Sequence, residues 1–212
     1  MIYEAVNQPV LGQIPKTTKR ILDVGCGTGA FGRQVKQRID CEVVGVTNSE
    51  QEAALAGSEL DRAFVCDLNS FDPVQLGEFD CIICSHVLEH LYCPQVLLNR
   101  LRSNLSANGV LIVALPNILH WKQRFEFLRG RFRYANGGLT DQSHFRFFDW
   151  RTSLELIRDS GFIIVSRSAE GSFPLPWIRK LIPNLAQRID RIATHLMPGL
   201  FGFQFIIVAK KT

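Results

Sequence analysis

Through the first half of the chain, short continuous apolar runs alternate with amphipathic stretches. The runs at 20–24, 41–46, 63–66, 79–84 and 110–115 are mostly apolar at successive positions, not at every second one. Strands exposed on one face alternate, whereas strands of a parallel sheet covered on both faces do not. Between the runs, helical patterns are expected at 29–39, from 50 to about 56, and from Pro94 to 105; Ser49 followed by Glu52 has the spacing of a capping box. Asn108-Gly109 marks a turn before the fifth strand. Repeated strand–helix–strand units of this length predict a doubly wound α/β sheet.

The rhythm breaks after Pro116. Residues 116–149 form a long excursion before a helix at about 150–160, which Gly161 ends, and a strand that begins at 162–165. Residues 171–199 are Pro-rich, with an amphipathic helix expected at 185–196, and the chain closes on an apolar strand at 202–209. A last strand reached by so long a connection predicts one antiparallel member. Residues 1–19 carry little regular signal. The economical division is one domain over 1–212: a core at 20–115, a lid insertion at 116–149, and C-terminal helices and closing strands at 150–212.

The composition is that of an ordinary globular protein, with 46% hydrophobic and 21% charged residues among 212. No apolar run approaches the ~20 residues of a membrane span, and the N-terminus lacks a signal-peptide pattern. The six cysteines are scattered. Cys81 and Cys84 form a C-x-x-C, but on a strand they point to opposite faces, which argues against a zinc or redox pair. Free thiols suit a reducing compartment, so a cytoplasmic location is expected. The net charge is +4, and the stretch between His120 and Tyr134 carries all of it: Lys122, Arg124, Arg129, Arg131 and Arg133 against Glu126. A nucleic-acid surface would be more basic. Such a cluster suits an anionic group on a small acceptor.

In open parallel sheets, ligands bind beyond the carboxyl ends of the strands, so the residues after each strand carry the chemistry. Strand one runs into Gly25-Cys26-Gly27-Thr28-Gly29 and then a helix, where backbone can approach a ligand closely. Asp23 before this loop would repel a pyrophosphate and attract a cationic amine. Thr47 and Asn48 follow strand two, Asp67 and Leu68 strand three, and Ser85, His86, Glu89 and His90 strand four.

The ordered set LDVGCGTGAFG, VVGVTNSEQ, VCDLNSFD, FDCIICSHVLEHL and LSANGVLIVALPN resembles the successive motifs of class I S-adenosyl-L-methionine-dependent methyltransferases, over about residues 20–117. The resemblance implies a Rossmann-like, seven-stranded sheet with the last strand antiparallel between five and six. It implies S-adenosyl-L-methionine as cofactor, with Asp23, Gly25, Cys26 and Gly27 at its methionine end. Thr47 and Asn48 would then lie at the ribose, Asp67 and Leu68 at the adenine, and Ser85 and His86 at the sulfonium side. Most members carry an acid where this chain has Thr47, so one charged hydrogen bond to the ribose is expected to be missing.

The segment from Pro116 to Trp150 resembles small bacterial methyltransferases of surface-polysaccharide or O-antigen loci, and more distantly MetW-like proteins. That implies O-methylation of a sugar, glycolipid or related metabolite, or, in the MetW-like alternative, a partner subunit with little turnover of its own.

Removing a hydroxyl proton suits histidine near neutral pH: His144 is the first candidate, with His90 and His86 behind it. His86, Glu89 and His90 share one face at helical spacing, and with His144 they resemble the metal site of metal-dependent RNA 2′-O-methyltransferases, an alternative reading of function that the modest net charge opposes. The structural reading of that Glu-His pair is preferred, and no metal ligand is assigned. Trp121, Phe125, Leu128 and Phe132 are expected to pack as one stripe of a lid helix on the body. The stretch PLPWIRKLIP at 174–183 bridges two strands or, in a second reading, touches a membrane surface through Trp177, Ile178, Arg179 and Lys180, as a lipid-linked acceptor would require.

Overall fold

The computed structural model describes residues 6–212. Seven strands form one sheet: β1 (Arg20–Val24), β2 (Glu42–Thr47), β3 (Arg62–Val65), β4 (Phe79–Ser85), β5 (Leu105–Pro116), β6 (Phe162–Gly171) and β7 (Gly202–Lys211). Their order is β3-β2-β1-β4-β5-β7-β6. β1 to β5 pair in parallel, and β7 is antiparallel to both its neighbours. The expected Rossmann-like arrangement is therefore present.

Side chains along the central strands alternate between two cores, which explains the unbroken apolar runs. Leu22, Val44, Ile82, Leu111 and Ile207 enter one core; Ile21, Val43, Cys81, Ile112 and Ile206 enter the other. Cys81 and Cys84 are buried on opposite sides of the sheet, so the C-x-x-C spacing brings no two thiols together.

The helices are α1 (Gln8–Leu11), α2 (Ala30–Lys36), α3 (Glu50–Glu59), α4 (Pro94–Ser103), α5 (Trp121–Leu128), α6 (Trp150–Asp159), α7 (Pro176–Leu181), α8 (Pro183–Leu196) and α9 (Pro198–Phe201). Pro9, Pro94, Pro183 and Pro198 sit in first turns, where a missing N–H costs nothing. Asp149 caps α6 with a reciprocal capping box to Thr152. The stretch 171–199 is thus more helical than its prolines predict, because these prolines start helices. The Asn108-Gly109 turn lies inside β5: β4 pairs with it at Leu105, the register shifts, and pairing resumes at Val110.

The insertion departs further from expectation. α5 is only eight residues long and buries none of its side chains. Phe125, Leu128 and Phe132 are 50%, 86% and 45% exposed, so these three do not pack on the body, whereas half-buried Trp121 reaches it by donating its indole N–H to the Ser172 carbonyl. Gly130, at φ 67°, turns the chain just beyond the helix, and Phe132 folds back to stack on Phe127 at 5.8 Å. The insertion is anchored at its start instead. Buried Asn117 donates to the carbonyls of Gly199 (3.1 Å) and Gly202 (2.7 Å) and accepts from the Leu119 N–H.

Candidate functional site at the strand ends

The loop after β1 is held by strand pairing. The N–H groups of Gly25 and Cys26 both donate to the Val46 carbonyl, at 2.8 and 2.9 Å. Those two donors are therefore spent within the fold and do not face a ligand. Gly25 has φ 79°, and a Cβ there would overlap the Cγ2 of Val87. The loop after β1 and the segment after β4 thus touch, and glycine is what allows it. Gly29 caps α2 in the left-handed conformation, packed against the backbone of Ala56 in α3.

Asp23 lies at the centre of this arrangement, between β2 and β4. It is 4% exposed, and among the described residues no side-chain hydrogen bond reaches its carboxylate. Burial pushes its pKa up to about 7. A buried acid with no counter-charge is expensive to keep ionised unless a cation is supplied.

At the end of β2, Thr47 is buried and its hydroxyl donates to Glu52 Oε2 at 2.6 Å. Ser49 caps α3 by accepting from the Glu52 N–H, but the Glu52 side chain turns to Thr47, so only half of the capping box forms. A carboxylate is therefore present at the edge where the sequence appeared to lack one. Its charge also raises the pKa of the Cys26 thiol, behind burial and Asp23. The capping pattern was the visible signal for Glu52, and it pointed to the wrong role. Asn48 is exposed beside this pair.

Asp67, after β3, is exposed, and one of its oxygens accepts from the N–H and side-chain amide of Asn69 at 2.9 and 3.0 Å. These bonds hold its pKa below the usual carboxylate range. The segment joins β2 through the Cys66 N–H, which donates to the Thr47 carbonyl. Leu68 packs on the core beside it.

After β4 the backbone bends sharply at His86, which has φ 56° and is the one non-glycine at positive φ among the described residues. Such strain is costly and clusters at functional sites. His86 is held between Glu89 Oε1 (3.3 Å) and Gln204 Oε1 (2.8 Å). Burial works against its charge, but the hydrogen bond and charge of Glu89, then Gln204, lift its pKa above the ordinary value. Gln204 also accepts from Asn7, which in turn donates to Ser85. Neither Asn7 nor Gln204 was a sequence candidate; the signal was a lone amide in the otherwise apolar run 202–209.

His144, brought back by the insertion, meets His90 with ring centroids 4.7 Å apart. The Glu89 carbonyl accepts from the N–H groups of Phe145 and Arg146, which fixes the two segments together. Burial holds the His144 pKa below its usual value. His120 lines a separate cavity of about 330 Å³ with Lys122, Thr140, Ser172 and Phe203, and burial pushes its pKa down to about 4.

The basic segment is partly spent on its own structure. Arg129 and Arg131 both approach Glu126, at 3.5 and 3.9 Å, and Arg124 donates to the carbonyls of Leu119 and Gly199. Trp177 is 80% exposed. Arg179 pairs with Asp190 at 2.7 Å, and the Ile178 side chain lies outside the described ones. Among the described residues, no helix is long and apolar enough to cross a membrane.

Comparison with known proteins decides the family. The methyltransferase domain family matches residues 5–167. The chain belongs to this methyltransferase domain family. An S-adenosylmethionine-dependent methyltransferase from Mesorhizobium loti superposes with a TM-score of 0.66 at 21% identity, over 98% of both chains. A [4+2]-cyclase, SpnF, superposes at 0.63 and 20% identity, over 96% of this chain and 78% of that one. These likenesses show the class I methyltransferase fold, whose cofactor is S-adenosylmethionine. A ubiquinone biosynthesis O-methyltransferase of Bradyrhizobium diazoefficiens is 29% identical over 109 residues, 49% of this chain and 42% of that protein. The chain thus aligns with under half the length of such relatives.

Proposed function

We propose that this methyltransferase transfers the methyl group of S-adenosylmethionine to a hydroxyl of a small molecule: a sugar, a glycolipid or a related metabolite. The observation that carries the cofactor assignment is the buried, uncompensated carboxylate of Asp23 beside the glycine loop. A diphosphate would be repelled there, whereas the ammonium of a methionine moiety supplies the missing charge. Thr47 with Glu52 offers a hydroxyl and a carboxylate to ribose hydroxyls. Asp67 keeps one oxygen free for an adenine amino group, with Leu68 beside it. Ser85 and His86 line the step between the cofactor and the segment after β4. The bound cofactor supplies a methyl group on a sulfonium, open to in-line displacement.

The chain's own residues must then orient the acceptor and take up its hydroxyl proton. The cluster of Glu89, His90 and His144 is suited to that task. It follows β4, and its neighbour Val87 touches the glycine loop. The O-methyltransferase named above supports oxygen as the acceptor atom, and the basic insertion supports an anionic handle on it, bound by Arg133 or by the cations that share Glu126. SpnF carries the same fold under a cyclase name, so turnover must be measured on this chain. The test is S-adenosylhomocysteine formation from S-adenosylmethionine over a panel of hydroxylated sugars, phenols and glycolipids. Acceptor-dependent product supports the proposal; cofactor binding without turnover on any acceptor favours the MetW-like alternative.

A further inference from the structure

Glu89 is fully buried, and its Oε2 has no hydrogen-bond partner. His144 Nδ1 is likewise buried and unpartnered. The role of Glu89 as an anchor for His86 uses only Oε1, so it explains neither orphan. Leaving a buried carboxylate oxygen unbonded is costly, and such an orphan calls for an explanation, a bound ion among them. Both orphans belong to one cluster: the donor atoms of Glu89, His90 and His144 all lie within 4.8 Å of one another.

We propose that Glu89, His90 and His144 bind a divalent transition-metal cation. Two imidazole nitrogens and one carboxylate oxygen suit zinc, manganese, iron(II) or cobalt better than calcium or magnesium. Donors about 2.1 Å from a cation stand about 3–3.5 Å apart, so side-chain rotations of about 1 Å close the set. The surroundings already orient it. His90 Nδ1 faces the Ser143 carbonyl (3.2 Å) and hydroxyl (3.1 Å), which leaves Nε2 for the cation. The Ser143 hydroxyl donates in turn to Asp141, and His86 holds the other oxygen of Glu89. Partners of this kind are what fix metal ligands in place. Three protein ligands leave coordination positions open on the acceptor side, where a cation lowers the pKa of a hydroxyl. The role of His144 then shifts from accepting the proton to holding the ion.

This inference rests on the proposed acceptor site, but it is tested without turnover. The full-length chain, stripped with chelator and then freed of it, is titrated with Co2+ by visible absorption and with Zn2+ by calorimetry, in the absence of cofactor and acceptor. The expected result is one equivalent bound, with absorption bands of nitrogen and oxygen ligation and a rise in thermal midpoint. Glu89→Gln and His144→Gln each weaken it at least about 10-fold. His195→Gln, at an exposed histidine on α8, binds as the wild type does. Circular dichroism checks the fold of each variant, and His90→Gln, at a half-exposed position, stands in if a buried variant does not fold. The proposal is overturned by absence of one-equivalent binding to the wild type, or by binding unchanged in the folded ligand variants. Retained S-adenosylhomocysteine binding in the same samples separates that failure from failure of the cofactor assignment.

Discussion

Replacing Asp23 by asparagine removes the carboxylate buried beneath the glycine loop while keeping its shape. In the cofactor-free protein, burial raises the Asp23 pKa from 3.8 to about 7. The folded state therefore holds a proton that the unfolded chain has released. Stability from this group is complete below about pH 4 and is lost as the pH rises to about 7. Three pKa units at 1.36 kcal/mol each give about 4 kcal/mol. Relative to Asp23→Asn, the wild type should thus become less stable by about that amount between pH 4 and 8. Urea unfolding of both proteins at unit pH intervals measures it. With S-adenosylhomocysteine bound, its ammonium should ionise Asp23, so wild-type affinity should rise with pH through about 7. Asparagine should bind about 10- to 150-fold more weakly at pH 8, the loss of a hydrogen bond between charged groups. Parallel pH–stability curves for the two proteins would refute the reasoning, because they would mean that Asp23 is already ionised and compensated within the chain.

Two further substitutions probe the walls of the site. Gly25→Ala places a Cβ on Val87 at a left-handed φ, which should cost about 2–4 kcal/mol in urea unfolding; a loss under about 1 kcal/mol would show that the two segments are not tightly apposed. Glu52→Gln should leave folding within about 0.5 kcal/mol, as expected for a half-exposed position. By calorimetry it should weaken binding of adenosine-containing ligands about 10-fold, the loss of a charge-assisted hydrogen bond. Equal affinity would remove Glu52 from the ribose edge.

The sheet was legible because its signal is local. A strand covered on both faces is mostly apolar at successive positions, and 20–24 and 79–84 are, apart from Arg20, Asp23 and Asp80. The positions of Asp23, the glycines and Asp67 at the strand ends were legible because they follow from the order of strands and helices. What escaped was set by contacts distant in sequence or geometry. Glu52 reads as a capping residue until β2 brings Thr47 within 2.6 Å of it. Gln204 reads as a strand residue until β7 inserts beside β5 and meets His86. The aromatic spacing at 121–132 reads as a packed helix, but the helix stops at Leu128 and its rings turn toward one another. Prolines at 176, 183 and 198 read as breaks, although each begins a helix. The spacing of Glu89 and His90 was visible; the orphaned oxygen was not, because burial of a carboxylate is a property of the fold.

The central claim is that the edge formed by Asp23, the 25–29 loop, Thr47 and Asp67 holds S-adenosylmethionine. Calorimetric titration of the folded wild type with S-adenosylhomocysteine, beside a Gly27→Trp variant, tests it most directly. The account predicts one equivalent bound by the wild type and none by the variant. A folded wild-type protein that binds neither S-adenosylhomocysteine nor S-adenosylmethionine would contradict it.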